Sequence, residues 1–456
     1  MTLSKVSLSS VWQRPDAWHC PTVLWVLGVA TLLLYVGLRV LWPSVGSVAE
    51  TSSALLGLLA VLAYGKGLRS SGPLWLLLAA LLVQCLSWWL GYLHHPQWVA
   101  DNPQLDRLAK LFIFIAVAWW LGGSTRNTMW LWGLASLAYL VATLMLEGAF
   151  EDWLIGLGGT RVDFGIRNAQ HSSMMFGVML LGLVILAPRL LRAGNWRWPR
   201  GGLWLCVVLI ALTAVLIGQT RAVWLALCLA LPLVLITWLA YQWVHQGGVS
   251  LQALGLASVV ALLLAGLVAA ALHEPLVKRL AEESVVTERI LEGRFDEIPY
   301  TSVGNRINTW RAAVEWIAER PLVGWGGEGR SLVIEHTPWL PDHVKAEYGH
   351  LHNYFLEIWV AYGLLGVAVM LGLAFWIGHG CWRSWRAGVL PGDLTLFGMA
   401  FFVYWVVVNQ FESYNSFWTG VYVHNLILGG LVTHIWRWQR QQAALREKEL
   451  ATRQPG

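Results

Sequence analysis

Between Thr22 and Trp436 the chain is cut into apolar runs of about 20 residues, the length that one helix needs to cross a bilayer. The runs 22–38, 73–93, 201–219 and 250–272 hold no Asp, Glu, Lys or Arg at all. In hydrocarbon such a run can satisfy its backbone groups only as a helix. Spans are expected near 22–42, 47–65, 73–93, 107–123, 127–147, 172–191, 201–219, 221–243, 250–273, 352–378, 392–411 and 417–436. The fold class is therefore an all-α polytopic integral membrane protein with about twelve transmembrane helices. Composition agrees, since 57% of residues are hydrophobic, 12% are charged and the mean hydropathy is +0.56. A soluble chain of this length carries more charge than that. The 31 Trp suit headgroup interfaces.

One long polar stretch interrupts this pattern. From Pro275 to His352 the chain carries Lys278, Arg279, Arg289, Arg294, Arg306, Arg311, Arg320 and Arg330. The chain divides accordingly into helices 1–9 (residues 1–273), a large loop with amphipathic helices (274–351), and helices 10–12 with a basic tail (352–456). Lys and Arg in short loops favour the cytoplasmic side. That rule puts both termini in the cytoplasm and the long loop outside, in the periplasm of a bacterium. Arg161, Arg167 and Arg221 then fall on the outer side, against the rule. Guanidinium groups placed there call for an anionic ligand. The nearly charge-free spans speak against an ion-coupled transporter, which needs ionisable groups at mid-depth.

Five cysteines, none in the long loop, show neither a disulfide framework nor zinc-ligand spacing. Met1 to Cys20 lacks the pattern of a cleaved signal peptide. No nucleic-acid partner is expected, and membrane lipid is. The net charge of +5 follows from topology as easily as from an anionic partner.

Five short segments carry polar chemistry. A helix is expected over 306–320, with Asn305 as its cap, Pro321 as its end, and Ile307, Trp310, Val314 and Ile317 on one face. It reads as a surface helix that presents Arg306 and Trp310 together. The string Gly324-Trp325-Gly326-Gly327-Glu328-Gly329 follows a helix rather than a strand, so it reads as a flexible turn and not as a dinucleotide fingerprint. His350-Leu351-His352-Asn353 reads as a general base at the mouth of a span, since imidazole exchanges protons near neutrality. A metal site with Glu335 and Asp342, or a plain interfacial histidine, are its alternatives. Finally, Arg161, Arg167 and His171 precede one span, and Arg221 begins another after the tight turn Gly218-Gln219-Thr220.

A transferase outside the cytoplasm has no ATP and must take its energy from the donor. A sugar on a lipid diphosphate is such a donor. As its bond breaks, negative charge grows on the leaving oxygen, and fixed arginines stabilise that charge. The chain has no Asp-x-Asp pair of the kind that holds a divalent ion in many glycosyltransferases. No metal and no cofactor are expected.

These residues resemble the bacterial O-antigen ligase and polymerase-like membrane glycosyltransferases. His352-Asn353, nine residues, then Gly363-Leu364-Leu365-Gly366 matches that family's His-[Asn/Ser/Gln]-x9-Gly-x2-[Gly/Thr/Tyr] pattern. Arg306-x3-Trp310 leading to Pro321-Leu322-Val323-Gly324-Trp325-Gly326, and Arg221-x3-Leu225, are similar to its other motifs. The resemblance implies a GT-C-like fold and a metal-independent inverting glycosyltransferase of the inner membrane. It implies transfer of O-antigen polysaccharide from undecaprenyl diphosphate to lipid A–core in lipopolysaccharide biosynthesis. His352 then activates the acceptor hydroxyl, Arg221 and Arg306 bind the diphosphate, and Asn353 and Trp310 lie with them at the substrate. Arg161 and Arg167 are added from topology. O-antigen polymerase and protein O-oligosaccharyltransferase share the same motifs, and a lipid-glycan transporter is the third alternative. His350 and His352 are not separated by sequence.

Overall fold

The computed structural model describes residues 12–14, 18–192, 197–248, 250–271 and 284–453. Lys5, Lys278 and Arg279 lie outside them. Regular structure among the described residues is helical throughout, without a strand. Among the described residues, six helices are long and apolar enough to cross a membrane: α1 (Pro43–Tyr64), α2 (Gly72–His94), α3 (Thr125–Met145), α4 (Arg197–Ile217), α5 (Arg221–Gln246) and α6 (Tyr354–Arg386). Thr22–Leu38, Ala169–Ile185 and Gly392–Val408 are apolar helices of 17 residues, about 26 Å long at 1.5 Å per residue. Leu251–Ala271 and the first half of α7 (Trp418–Arg453) fall on two further expected spans.

The expected span 107–123 is not a continuous helix. It consists of two short turns over Asp106–Phe112 and a helix of eight residues, Phe114–Leu121, every one of them buried. Asn425 on α7 explains the break. Its Oδ1 accepts from Phe114 N at 2.7 Å, and its Nδ2 donates to the Lys110 carbonyl at 2.7 Å. Backbone groups freed at membrane depth thus find a partner inside the protein. An apolar count cannot distinguish such a core segment from a lipid-facing one.

Besides Ser284–Leu291, the described loop helices are α8 (Ser302–Glu319), α9 (Gly329–His336) and α10 (Asp342–Glu347), and these three pack together. They build a second core from Ala312, Ala313, Trp316, Ile317, Leu332 and Val333, closed by Trp325 and by Val360 of α6. Each large apolar side chain buried this way contributes roughly 1.5–3 kcal/mol. The loop's own core therefore fixes α8, and the expected stripe is shifted: Ile317 and Trp310 pack with the core, but Val314 is 57% exposed while Ala312, Ala313 and Trp316 are buried. The cap differs as well. The Thr301 hydroxyl accepts from Gly304 N, and Asn305 instead donates to the Tyr348 hydroxyl. The end before Pro321 is as expected, with Arg320 as the C-cap.

The glycine string is a fixed joint rather than a flexible turn. At Gly363 the helix α6 is interrupted by a residue at φ 61°, ψ −161°, a conformation essentially restricted to glycine. Residues 321–326 lie in the break. Trp325 N donates to Val360 O (2.9 Å), Gly326 N to Ala361 O (2.8 Å), Leu364 N to Pro321 O (2.8 Å) and Leu365 N to Leu322 O (3.2 Å). A Cβ on Gly363 would stand 2.2 Å from the Leu322 carbonyl carbon. Gly363→Ala is expected to destabilise the protein by more than the roughly 1–3 kcal/mol of backbone strain alone, seen as a lowered thermal midpoint in detergent. An unchanged midpoint would contradict the joint.

Candidate active site

Four helices begin at the loop end of the bundle: Ala169–Ile185, α5 at Arg221, α6 at Tyr354 and α7 at Trp418. Side chains tie these ends together. Thr220 Oγ1 donates to Ser173 Oγ (3.0 Å), His171 Nδ1 meets Thr419 Oγ1 at 2.5 Å, the Tyr414 hydroxyl donates to Gln170 O (3.1 Å), and Tyr354 N donates to Asn409 O (2.9 Å). Helix N-termini carry partial positive charge, so their convergence suits an anion.

At the centre is Glu412, 1% exposed, in the short turn between Gly392–Val408 and α7. An ionised carboxylate only accepts hydrogen bonds. His352 Nδ1 therefore donates to its Oε2 at 2.9 Å, and His350 Nε2 donates to its Oε1 at 2.8 Å. Burial pushes the Glu412 carboxyl up, but the two histidine hydrogen bonds and the imidazole charges outweigh it and hold the group well below the usual carboxylate range. The pairing leaves the other nitrogen of His352, Nε2, to take a proton.

The backbone around His352 is held from two sides. His352 itself sits at φ 50°, a left-handed conformation that costs a non-glycine residue energy. The preceding residue, Leu351, donates its N–H to Glu357 Oε1 (3.1 Å), and its carbonyl accepts from Trp310 Nε1 (2.7 Å). Glu357, 3% exposed, also accepts from Ser413 Oγ (2.6 Å) and Ser416 Oγ (2.8 Å). Trp310 thus positions the histidine segment. Asn353 caps α6 by accepting from Phe355 N and Leu356 N, and donates to Gln410 Oε1.

The arginines gather round the same turn. Burial, and after it the Glu412 charge, hold the Tyr414 hydroxyl well above the usual phenol range, and the charges of Arg306 and Arg161 oppose that rise. Arg161 donates through Nε to the Gly218 carbonyl (3.2 Å), on the turn that leads into Arg221. Asp163 instead accepts from Gly165 N. Arg306 lies half-buried on α8 and makes no side-chain hydrogen bond or ion pair among the described residues. Arg167, at φ 51°, lays its guanidinium 3.6 Å from the centre of the Phe417 ring.

Of the groups reasoned from sequence, His352 and Arg167 contact this turn, and the charges of Arg306 and Arg161 act on its Tyr414. Glu335 and Asp342 do not join the histidines. His336 stacks on Trp98 and His343 packs edge-on against Tyr300. The carboxylate partner is Glu412, which sequence reasoning passed over. Its signal was an acid in a short polar turn, Glu412-Ser413-Tyr414-Asn415-Ser416, between two apolar runs. His350 Nε2, His352 Nδ1 and a Glu412 oxygen lie within 4.8 Å of one another, near enough to share a cation. A tetrahedral ion at about 2.1 Å from its ligands would hold them about 3.4 Å apart. The 2.8 and 2.9 Å contacts suit shared protons better.

Beside the site, a cavity of about 1390 Å³ runs between α5, α6 and Gly392–Val408. It extends from Asn353, Gln410 and Asn415 to Arg192 and Trp385, and most of its wall is apolar.

A helical bundle with a half-buried imidazole hydrogen-bonded to a buried carboxylate, and arginines near the same turn, defines a polytopic membrane protein with groups able to exchange a proton. A family model described as O-antigen ligase matches residues 206–371. The match takes in Arg221, Arg306, His350, His352 and the break at Gly363, and stops short of Glu412. No curated protein matches the chain.

Proposed function

We propose that the protein is an O-antigen ligase that transfers O-antigen polysaccharide from undecaprenyl diphosphate to lipid A–core. The His352–Glu412 pair beside the arginine cluster is the observation that carries this reading. Glu412 orients His352 so that Nε2 takes the proton of an acceptor hydroxyl. The oxygen attacks the anomeric carbon from the face opposite the diphosphate, which inverts that centre. The carbon–oxygen bond to the diphosphate breaks, and the bond's electron pair leaves with the phosphate oxygen. Arg221, Arg306 and Arg161 stabilise the departing charge more than the ground state. No divalent ion enters these steps. The site faces the periplasm of the inner membrane, the loop 274–351 lies on that side, and both termini are cytoplasmic. The long apolar cavity suits the hydrocarbon chain of a lipid-linked substrate.

The test is transfer by the purified full-length protein, given lipid-linked glycan and lipid A–core with a chelator present. Polysaccharide-capped lipid A–core is the expected product. Elongation of the lipid-linked repeat instead would make the protein a polymerase, and loss of transfer on chelation would return the histidine pair to metal binding.

Glu412→Gln is expected to lower kcat by about 10–100-fold. Without the neighbouring carboxylate the imidazole is no longer held in one orientation, so the loss falls on kcat rather than on either KM, and Glu412→Asp, which keeps a carboxylate, recovers part of it. A purely structural carboxylate would lower the thermal midpoint in step with the rate.

A further inference from the structure

Phe417, the residue just before α7, carries two guanidiniums. Arg167 lies 3.6 Å from the ring centre and Arg330 5.7 Å from it. Arg167 reaches the ring from the segment before Ala169–Ile185, and Arg330 from the start of α9 in the loop. Two cations drawn onto one ring repel each other. Desolvation lowers the pKa of Arg167; Glu412 opposes the shift and the Arg330 charge adds to it. The neighbouring carboxylates leave most of the N–H donors of this pair unengaged. Glu412 accepts from His350, His352 and Ser413 N. Glu357 accepts from Leu351 N, Ser413 and Ser416, and reaches Arg330 by one contact of 3.5 Å. Arg167 makes no side-chain hydrogen bond among the described residues and is exposed on its outer side. Its left-handed φ is retained at a cost to the fold.

We propose that Arg167 and Arg330 form a second anion site, which holds a phosphate or carboxylate group of the acceptor. This rests on the glycosyl-transfer reading above. The site's place follows from in-line displacement, in which the attacking hydroxyl and the leaving diphosphate lie on opposite sides of the anomeric carbon. The Phe417 ring is 5.3 Å from the His350 ring, which is 4.0 Å from that of His352. Arginines on the histidine side therefore meet the acceptor. Arg221 and Arg306, which the proposed function assigns to the diphosphate, meet the leaving group. A planar guanidinium stacked on an aromatic face still presents its edge to an oxyanion.

The test compares Arg167→Gln and Arg330→Gln with the parent full-length protein in steady-state transfer. The acceptor KM is expected to rise about tenfold in each, with donor KM within about twofold and any change in kcat smaller than that in the acceptor KM. Inorganic phosphate is expected to compete with the acceptor and not with the donor, and each variant weakens that competition. Arg330→Lys keeps a point charge and restores part of the affinity. A rise in donor KM alone, or a fall in kcat with both KM values unchanged, overturns the proposal. A reaction-independent arm measures ³¹P line broadening of inorganic phosphate by the purified protein. Broadening that both Gln variants reduce supports the site even in a preparation that transfers no glycan, and broadening equal in all three proteins overturns it.

Discussion

His352→Ala is expected to reduce kcat for glycan transfer by about 10²–10⁴-fold, the usual worth of a positioned general base. The protein should still insert and fold. The ring is 16% exposed, and the segment before it is pinned through Leu351 by Glu357 and Trp310 rather than through the imidazole. His350→Ala should cost less, because His350 binds the same carboxylate without that backbone bracing and packs against Phe417. Transfer assays on the two purified variants, with thermal midpoints as the control for folding, separate the two histidines. Near-parental activity in His352→Ala beside an inactive His350→Ala would move the base to His350.

Arg306→Ala is expected to lower kcat/KM by about 10²–10³-fold, comparable to removing one donor to a developing oxyanion. Most of the loss should fall on kcat, because the leaving diphosphate gains charge as the bond breaks. Arg306 makes no side-chain hydrogen bond or ion pair among the described residues, so its removal unpairs no buried acid. The thermal midpoint should therefore hold. Arg306→Lys is expected to recover part of the rate, since a point charge replaces a planar fork. A loss confined to the acceptor KM would mean that Arg306 does not face the leaving group.

The membrane class was legible because a 20-residue apolar run leaves the backbone almost no choice. The site was legible in part. Arginines against the topological bias and a histidine at a span's mouth are local signals, and the structure gathers His352, Arg306, Arg161 and Arg167 around one turn. Glu412 was not legible, since nothing local to residue 412 says that its partners lie 60 positions earlier. The same limit explains the broken segment at 107–123, where Asn425 supplies contacts that no window of sequence contains. Asn353, expected at the substrate, caps α6 with its side chain and also lines the cavity, and neither role has a local signature beyond its place before an apolar run. Ser, Thr, Asn and Asp are favoured at caps for reasons unrelated to chemistry.

The joint at Gly363 bears on how such enzymes can be recombined. The segment 321–326 is hydrogen-bonded into the interrupted α6, so the extramembrane part is not a detachable flap. A chimaera that grafts a foreign loop onto this bundle has to bring residues 358–366 with it. Exchanged without them, the graft loses four backbone hydrogen-bond pairings and with them the register of the histidine beside the bundle's mouth.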